Sequence, residues 1–592
     1  MTIDQIIAFL VLGLSLVLFA WGRWRYDLVA VLALIAVTGA GLVRPSEALL
    51  GFGHPAVVTV AAVLVISRAL TNSGIVDMIS SRISAYTKSL SLHIFIMAGV
   101  CAVASAFMNN VGALAIMLPV ALASCAERKR SPAVVLMPLA FGSILGGLMT
   151  LIGTPPNIII ATYRADLVGV PFHMFDFSPV GAPVAVLGVL FTALVGWRLV
   201  PHARSGTKSP DQLFQIEEYI TEVRVKEKSP LIGKRYGEME EVTGEDVVVA
   251  GRLRDNGTLM KPPRRDFVRA GHVLVLKADP RELKRAMDEW GLELHGKAPQ
   301  QLSELESENV KLFETVVSPN SPLEGRSPLF LRRRSGYMLH LLAIARQGEP
   351  LRSRLKDVAF KAGDVLLMQG DVETAPDLFS ELRLLPLPER GLTLGQPRKL
   401  TLAVVIFAAA ILAGSLGLLP IAVAFLAAIL LFVVADILPA RELYSHIDWP
   451  VVVLLGGMIP VGGALQSTGA TALIGETIVT ATDGLPLWTI LALIMVVTMT
   501  LSDVINNAAT ALVMAPIAVA VAGALDAAID PFLMGVAVAA SCAFLTPIGH
   551  QSNTLVMGPA GYHFGDYWRM GLPLEALILI VSVPLILWVW PA

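Results

Sequence analysis

An α-helical polytopic membrane protein is the fold class this sequence predicts. Two inverted repeats, each of about five spans plus one re-entrant hairpin, flank a cytoplasmic α+β insert of two repeated modules. Three observations carry the prediction. The 592 residues are 55% hydrophobic and only 16% charged, whereas soluble domains carry about 25% charged residues; mean hydropathy is +0.68. Ser105, Asn109, Asn110 and Pro119 recur as Ser502, Asn506, Asn507 and Pro516, all at an offset of 397. Between residues 201 and 398 the composition turns to Lys, Arg, Glu and Asp in alternating, strand-like runs.

Taken in order, apolar segments at about 3–20, 27–43, 55–71, 92–125, 132–163 and 178–200 make a first membrane repeat over 1–200. Segments at about 400–419, 421–438, 450–466, 486–525, 531–558 and 572–591 make a second over 399–592. No basic region or small-residue cleavage site precedes Trp21, so residues 5–20 are expected to be a span rather than a removed leader.

A span needs about 20 apolar residues. Segment 92–125 is too long for one and too short for two, and 486–525 repeats it. Each is therefore expected to be a hairpin of two half-length helices turning at the asparagine pair, which is tolerated at membrane depth where protein or water covers the backbone.

Charge parity supports the hairpins. With the insert in the cytoplasm and both termini outside, the inner loops hold Arg23, Arg25, Arg82, Lys88, Arg128, Lys129, Arg130 and the run from Arg198 to Lys208. The outer loops of the first half hold little beyond Arg44 and Arg164, the positive-inside pattern. Glu476, Asp483, Asp526 and Asp530 flank the second hairpin and suit the outer face. The two tips then approach from opposite sides and meet near the midplane.

The insert repeats at an offset of 92: Ser229-Pro-Leu-Ile-Gly233 matches Ser321-Pro-Leu-Glu-Gly325, and 269–276 matches 361–368. Modules are expected at 215–296 and 305–388, with strands at 247–253, 273–276, 338–345 and 365–368, each pair followed by a helix. No Gly-x-Gly-x-x-Gly is present, which argues against a Rossmann nucleotide site. The ligand of the insert stays unidentified, and a dimerising role is equally open.

At each tip the chain reverses, and asparagine supplies both a donor and an acceptor. The helix starting there aims its positive end at the midplane, where backbone N–H groups can hold an anion. The preceding helix ends in carbonyls which, with the Ser105 and Ser502 hydroxyls, are hard oxygen ligands for a small cation. No lysine or arginine lies in the apolar segments near the tips, so dipoles and a co-bound cation must meet the anion's charge.

Gly153-Thr154-Pro155-Pro156-Asn157 is a helix break, echoed 396 residues on by Gly549 and Asn553 with His550 between. One asparagine pair, or one such break, would read equally as interhelical hydrogen bonding or a packing kink; two copies in register favour a site. Asp503, whose counterpart is Ala106, is the one carboxylate within reach of a tip and could bind a coupling cation or proton. His550 could titrate near neutral pH. Cys101, Cys125 and Cys542 have no metal-like spacing and no disulfide framework. A formal net charge of −2 gives no sign of a nucleic-acid partner, and no nucleophile–base pair supports an enzyme.

At the paired tips and the Gly-Thr-Pro-Pro-Asn break the sequence resembles the divalent anion/sodium symporter family, the SLC13-like permeases of the ion transporter superfamily. The insert resembles two TrkA-C modules (the regulator-of-K+-conductance C-terminal type). The resemblance implies a homodimer working by an elevator motion, with a coupling sodium ion, a proton being the alternative, and no organic cofactor. It implies a substrate site at Asn109, Asn110, Val111, Thr154, Pro155, Asn157, Asn506, Asn507, Ala508, His550 and Asn553. It implies cation ligation by Ser105, Asn110, Gly153, Ser502, Asn507 and Gly549, with Asp503 beside them. Dicarboxylate members carry Ser-Asn-Thr at each tip; here Asn109 and Asn506 replace the serine, and Val111 and Ala508 replace the threonine. Amides in place of hydroxyls suit a compact oxyanion, so sulfate is the first expectation and a dicarboxylate the second. A K+-linked channel would need a filter run such as Thr-Val-Gly-Tyr-Gly, which is absent. A cation/proton antiporter would use Asp503 as its titrating group.

Overall fold

The computed structural model describes the chain except residues 22, 74–88, 129, 202–219, 237–246, 254–258, 261–264, 279–285, 288, 295–309, 320, 337, 348, 352–357, 372–373, 388–396, 441–442, 445–446, 483 and 592. Arg82, Lys88, Lys129, Lys208 and Asp483 from the charge-parity reading lie outside the described residues.

The first half holds α1 (Ile3–Trp21), α2 (Tyr26–Gly39), α3 (Pro55–Asn72), α4 (Leu90–Ser105), α5 (Asn110–Glu127), α6 (Ala133–Gly147), α7 (Pro155–Val168) and α8 (Ser178–Leu194). In the insert lie the short helices α9 (Pro328–Arg334) and α10 (Ala375–Glu381). The second half holds α11 (Pro397–Ser415), α12 (Ile421–Val434), α13 (Trp449–Ser467), α14 (Ala470–Ala481), α15 (Leu487–Val504), α16 (Asn507–Ala524), α17 (Ile529–Ser541), α18 (Gln551–Ala560) and α19 (Trp568–Val589). Among the described residues, α1, α13, α15, α16 and α19 are long and apolar enough to cross a membrane.

These helices are apolar on every face, as spans are. Leu10, Leu14, Val17, Ile35, Leu430, Val434 and Ile580 project outward from the packed core. In water that would be unfavourable; against lipid tails it costs nothing. Exposed tryptophans stand near helix ends at Trp21, Trp24, Trp449, Trp568 and Trp588, as at a membrane–water interface.

The polar turns stand where the asparagine pairs predict, but the arms are not half-length. Helix α4 has 16 residues, and α5, α15 and α16 have 18 each. At 1.5 Å per residue these arms are about 24–27 Å long, close to the roughly 30 Å of a hydrocarbon core. The reason is local: the arms contain no glycine–proline break, and Pro119 and Pro516 lie inside α5 and α16 rather than ending them. The true interruptions fall between α6 and α7, and between α17 and α18.

Arg164 on α7 makes a two-pronged ion pair with Asp530 on α17, Nε to Oδ1 at 2.8 Å and Nη2 to Oδ2 at 2.9 Å. Parity reading put both residues on one face, and the ion pair requires that they share one.

Among the described residues the insert contains ten strands: β1 (Ile220–Val225), β2 (Val247–Leu253), β3 (Leu259–Met260), β4 (Val273–Ala278), β5 (Leu292–Leu294), β6 (Val310–Val317), β7 (His340–Arg346), β8 (Glu349–Pro350), β9 (Val365–Asp371) and β10 (Leu384–Pro386). They form two antiparallel sheets of one topology, β3-β2-β4-β1-β5 and β8-β7-β9-β6-β10. Small bonds repeat as well. Ser229 Oγ donates to Trp290 O at 2.5 Å and Ser321 Oγ to Leu382 O at 2.6 Å, 61 residues on in each case. Strands β1 and β6, which the sequence reading omitted, each pair with two neighbours.

The second sheet rests on the membrane helices. Val365 and Leu367 pack into the membrane core rather than only into their own module, and Arg383 Nη2 donates to Ile447 O at 3.4 Å. Gly363, at φ +84°, lies so near α18 that a Cβ there would stand 2.7 Å from Thr554 O.

Candidate functional site

The first tip is built by the end of α4, the start of α5 and the break after α6. Ser105 Oγ donates to Ser143 O on α6 at 2.6 Å. The Asn110 amide, buried at the start of α5, lies at the centre: its nitrogen donates to Ser105 Oγ at 2.7 Å, Gly153 O at 3.0 Å and Ser143 O at 3.2 Å. Its oxygen accepts from His550 Nε2 at 3.0 Å. This amide orientation is assigned from the hydrogen-bond network. The network supports it from the other side, because His550 Nδ1 accepts from Ser552 N at 3.1 Å, which leaves the ring proton on Nε2. Asn109 turns back on the chain instead, its Oδ1 accepting from Val111 N at 3.2 Å.

The second tip repeats part of this. Ser502 Oγ donates to Ala540 O at 2.5 Å, 38 residues on, as Ser105 does to Ser143. Asn506 Oδ1 accepts from Ala508 N at 2.9 Å, as Asn109 does from Val111. Asn507, however, turns its Oδ1 to Ala508 N at 2.8 Å and, among the described residues, makes no bond across the site. Among the described residues no hydrogen bond joins the two tips directly. Val111 and Ala508 contribute backbone N–H groups, which fits the loss of a side-chain hydroxyl there.

The breaks are closed by matching clasps. Asn157 Nδ2 donates to Gly147 O at 3.2 Å and Thr150 O at 2.8 Å; Asn553 Nδ2 donates to Ala543 O at 3.0 Å and Thr546 O at 3.1 Å. Thr150 Oγ1 donates to Ala106 O, and Thr546 Oγ1 to Asp503 O. The substrate role expected of Asn157 and Asn553 is thus joined to a structural one: the amide nitrogens hold the broken backbone, and Asn553 Oδ1 is buried with no partner among the described residues. Thr154 caps α7 without a side-chain cap bond, its buried Oγ1 also lacking a partner among the described residues, and Pro155 takes the first helical position.

Through His550 and Asn110 the structure brings together the N-termini of α5 and α18 and the break before α7. Three helix starts with buried amides and hydroxyls, and no lysine or arginine among them, converge here, and helix starts are chemically suited to anions. The carbonyls of Ser143, Gly153 and Ala540 beside Ser105 and Ser502 are hard oxygen donors, the type that suits a small cation. Asp503 was taken as the one carboxylate near a tip. The structure adds Glu575 on α19: Phe544 N donates to Glu575 Oε1 at 3.2 Å, and the next residue's N–H, Leu545 N, donates to Asp503 Oδ1 at 2.9 Å. A lone acid inside an apolar helix was the signal that would have found Glu575. Ser143, Thr150, Thr546 and Ser552 were also missed, although both threonines lie in the repeated motif.

A helical membrane protein whose polar groups converge on broken helices is a transporter by architecture. The chain matches the citrate transporter family (CitMHS) over residues 16–532 and belongs to it. It is 33% identical to an uncharacterized transporter of Synechocystis sp. over 97% of this chain and 95% of that one. It is 30% identical to an uncharacterized transporter of Escherichia coli, covering 98% of each. Sodium/sulfate cotransporter 2 of Chlamydomonas reinhardtii is 26% identical over 61% of this chain and 42% of its own length. SLC13-like membership is therefore established, and family members are transporters.

Proposed function

We propose that this protein is a secondary active transporter importing a small divalent anion, sulfate first and a dicarboxylate second, by sodium symport. Similarity to sodium/sulfate cotransporters supports the substrate and the coupling ion. The observation that carries the reading is the Asn110 node, where one amide ties a hydroxyl, two carbonyls and a histidine from the other half of the chain. Sulfate would sit against the N–H groups at the starts of α5, α16 and α18. Sodium would sit on the hydroxyl and carbonyl oxygens at Ser105, Gly153, Ser502 and Gly549, offsetting anion charge that no basic side chain meets.

In this reading the halves are inverted repeats, the hairpins and broken helices move as an elevator against the remaining helices, and the protein is a homodimer. The two sheets are TrkA-C-like modules on the cytoplasmic side. Radiolabelled sulfate uptake into proteoliposomes, under inward sodium, inward proton or no gradient, tests it with wild type and Asn110→Ala. Sodium-driven uptake lost in the variant is the expected result. No uptake under any gradient, with succinate and citrate equally inert, would sink the substrate class.

A further inference from the structure

The two modules of the insert share one backbone face and use it differently. In the second, Gly363 N donates to Val317 O at 2.8 Å, Gly325 N to Phe360 O at 2.8 Å and Phe360 N to Arg326 O at 3.0 Å. In the first, Gly271 N donates to Val225 O at 2.9 Å, Gly233 N to Val268 O at 3.0 Å and Val268 N to Lys234 O at 2.9 Å. Gly271 and Gly363 have the same left-handed backbone, at φ +81° and +84°. The Gly363 turn is seated on α18, so closely that its carbonyl leaves no room for a Cβ on Gly558. A Cβ on Gly271 would meet nothing within 4 Å among the described residues. One copy of the face is seated on a membrane helix, and the other is open.

The side chains of the open face depart from those of the seated one in a single direction. Ile232 and Phe267 are 40% and 47% exposed; their counterparts at the offset of 92 are Glu324 and Ala359. Lys226, Lys228, Arg235 and Arg265 stand where the second module has Ser318, Asn320, Ser327 and Asp357. Lys234 and Arg269 keep basic counterparts in Arg326 and Lys361, and Glu227 and Asp266 are the acids of the two segments. The fold gathers these residues. Tyr236 N donates to Asp266 O at 3.0 Å, laying the first segment along the second, and the Arg235 guanidinium lies over the Phe267 ring at 5.6 Å. A free inorganic anion would use the cations but not the two apolar side chains. A bilayer surface with acidic head groups uses both.

We propose that this face docks on the anionic head groups of the surrounding bilayer, with Phe267 and Ile232 at head-group level and the basic residues around them against lipid phosphates. The packing keeps the module within reach. Val275 on β4 belongs to the same continuous apolar core as Val316 and Leu342 of the second sheet, and that core runs into the membrane helices. The first module is therefore packed against the membrane body rather than tethered to it. The insert then has two anchors of different kinds. One is the backbone contact of Gly363 with α18; the other is electrostatic, strengthened by acidic lipid and weakened by salt. The inference depends neither on the anion carried nor on the coupling ion.

An environment-sensitive fluorophore on Phe267→Cys, in the full chain reconstituted into vesicles, tests it. Cys101, Cys125 and Cys542 are all buried, so the dye goes to position 267. In phosphatidylcholine mixed with phosphatidylserine its emission should shift to the blue relative to phosphatidylcholine alone. High salt should reverse the shift, and Arg235→Glu combined with Arg269→Glu should abolish it. Both arginines are exposed, and the salt step decides without any charge variant. The same dye on Ala359→Cys, at the equivalent place in the second module, should be indifferent to lipid charge. Emission at 267 that ignores phosphatidylserine overturns the proposal, as does an equal response at 359, which reports surface potential alone. A shift in neutral vesicles that grows with the protein-to-lipid ratio makes a second copy of the chain the partner and also overturns it.

Discussion

Asn110 Oδ1 and His550 Nε2 stand 3.0 Å apart although 440 positions separate the two residues. One bond thus joins the first hairpin to the second broken helix. His550→Leu would leave Asn110 Oδ1 and Ser552 N without their partner, in a site where neither reaches water. Unsatisfied buried groups cost about 1–3 kcal/mol each, and each 1.4 kcal/mol at the site is about tenfold in affinity. The expected outcome is a rise of at least about tenfold in the sulfate concentration for half-maximal uptake. Folded protein with unchanged uptake would show that this bond only packs the helices.

The paired clasps make a sharper chemical test. Asn157 and Asn553 act through their nitrogens, as donors to two carbonyls each. Asn157→Ala removes those donors and costs about 1–3 kcal/mol. Asn157→Asp should be worse despite its closer shape, because it turns an acceptor-only, charged group against two carbonyl oxygens. Thermal unfolding in detergent orders the three proteins: wild type above Ala, and Ala above Asp. An aspartate as stable as the alanine would mean that the amide nitrogen is not the working atom.

What the sequence showed and what it hid divide along physical lines. A polar residue in an apolar run is conspicuous, and a residue that recurs at a fixed offset is more so. Ser105, Asn110, Gly153 and their counterparts therefore stood out, and Ser105 and Ser502 make equivalent bonds to carbonyls 38 residues on. Side-chain direction is not written in a repeat. Asn110 crosses to His550 while Asn507 turns back to Ala508, a difference set by neighbours from distant segments. Glu575 escaped because Asp503 is 72 positions away and only the α17–α18 break, through Phe544 N and Leu545 N, brings them together. The arm bounds follow from dividing each segment at its asparagines; what was misjudged is that arms of 16 to 18 residues are nearer a full span than half of one. In the insert the offset of 92 was visible, but β1 and β6 coincide only at Glu222/Glu314 and Val225/Val317 and went unseen.

Glycine at the two breaks is required by close approach. A Cβ on Gly153 would stand 2.5 Å from Gly147 O, and one on Gly549 2.7 Å from Ser502 O. Backbone oxygens cannot swing aside as a flexible side chain can, so the break itself must shift, at a cost of about 1–3 kcal/mol. Gly153→Ala and Gly549→Ala should each lower sodium-driven sulfate uptake by about tenfold or more, since 1.36 kcal/mol is one factor of ten. Gly99→Ala on α4, with nothing within 4 Å of the new Cβ, is the control and should transport as wild type. Equal loss in all three would point to expression rather than to the breaks.

The insert is tied to the transport helices by the turn that holds Gly363, and its neighbour Asp364 fixes that turn. Asp364 is 1% exposed; it accepts Arg346 Nε at 2.7 Å on Oδ1, and Arg346 Nη2 at 2.7 Å and Lys361 N at 2.8 Å on Oδ2. The carboxylate holds the Arg346 guanidinium above its ordinary range. Removing the guanidinium alone leaves a buried charge unpaired, which costs about 3–5 kcal/mol. Arg346→Ala should therefore loosen the second sheet, and limited proteolysis should cut between residues 310 and 386 before it cuts the first sheet. Replacing both partners, in Arg346→Met with Asp364→Leu, should restore most of the resistance, because a well-packed apolar pair avoids the desolvation cost. Uptake measured on the same two proteins then separates two roles for the sheet that rests on α18. If uptake falls with Arg346→Ala and returns in the double variant, the sheet braces the helix that starts at His550. If uptake ignores both, the contact between Gly363 and α18 anchors the insert and does nothing for the site.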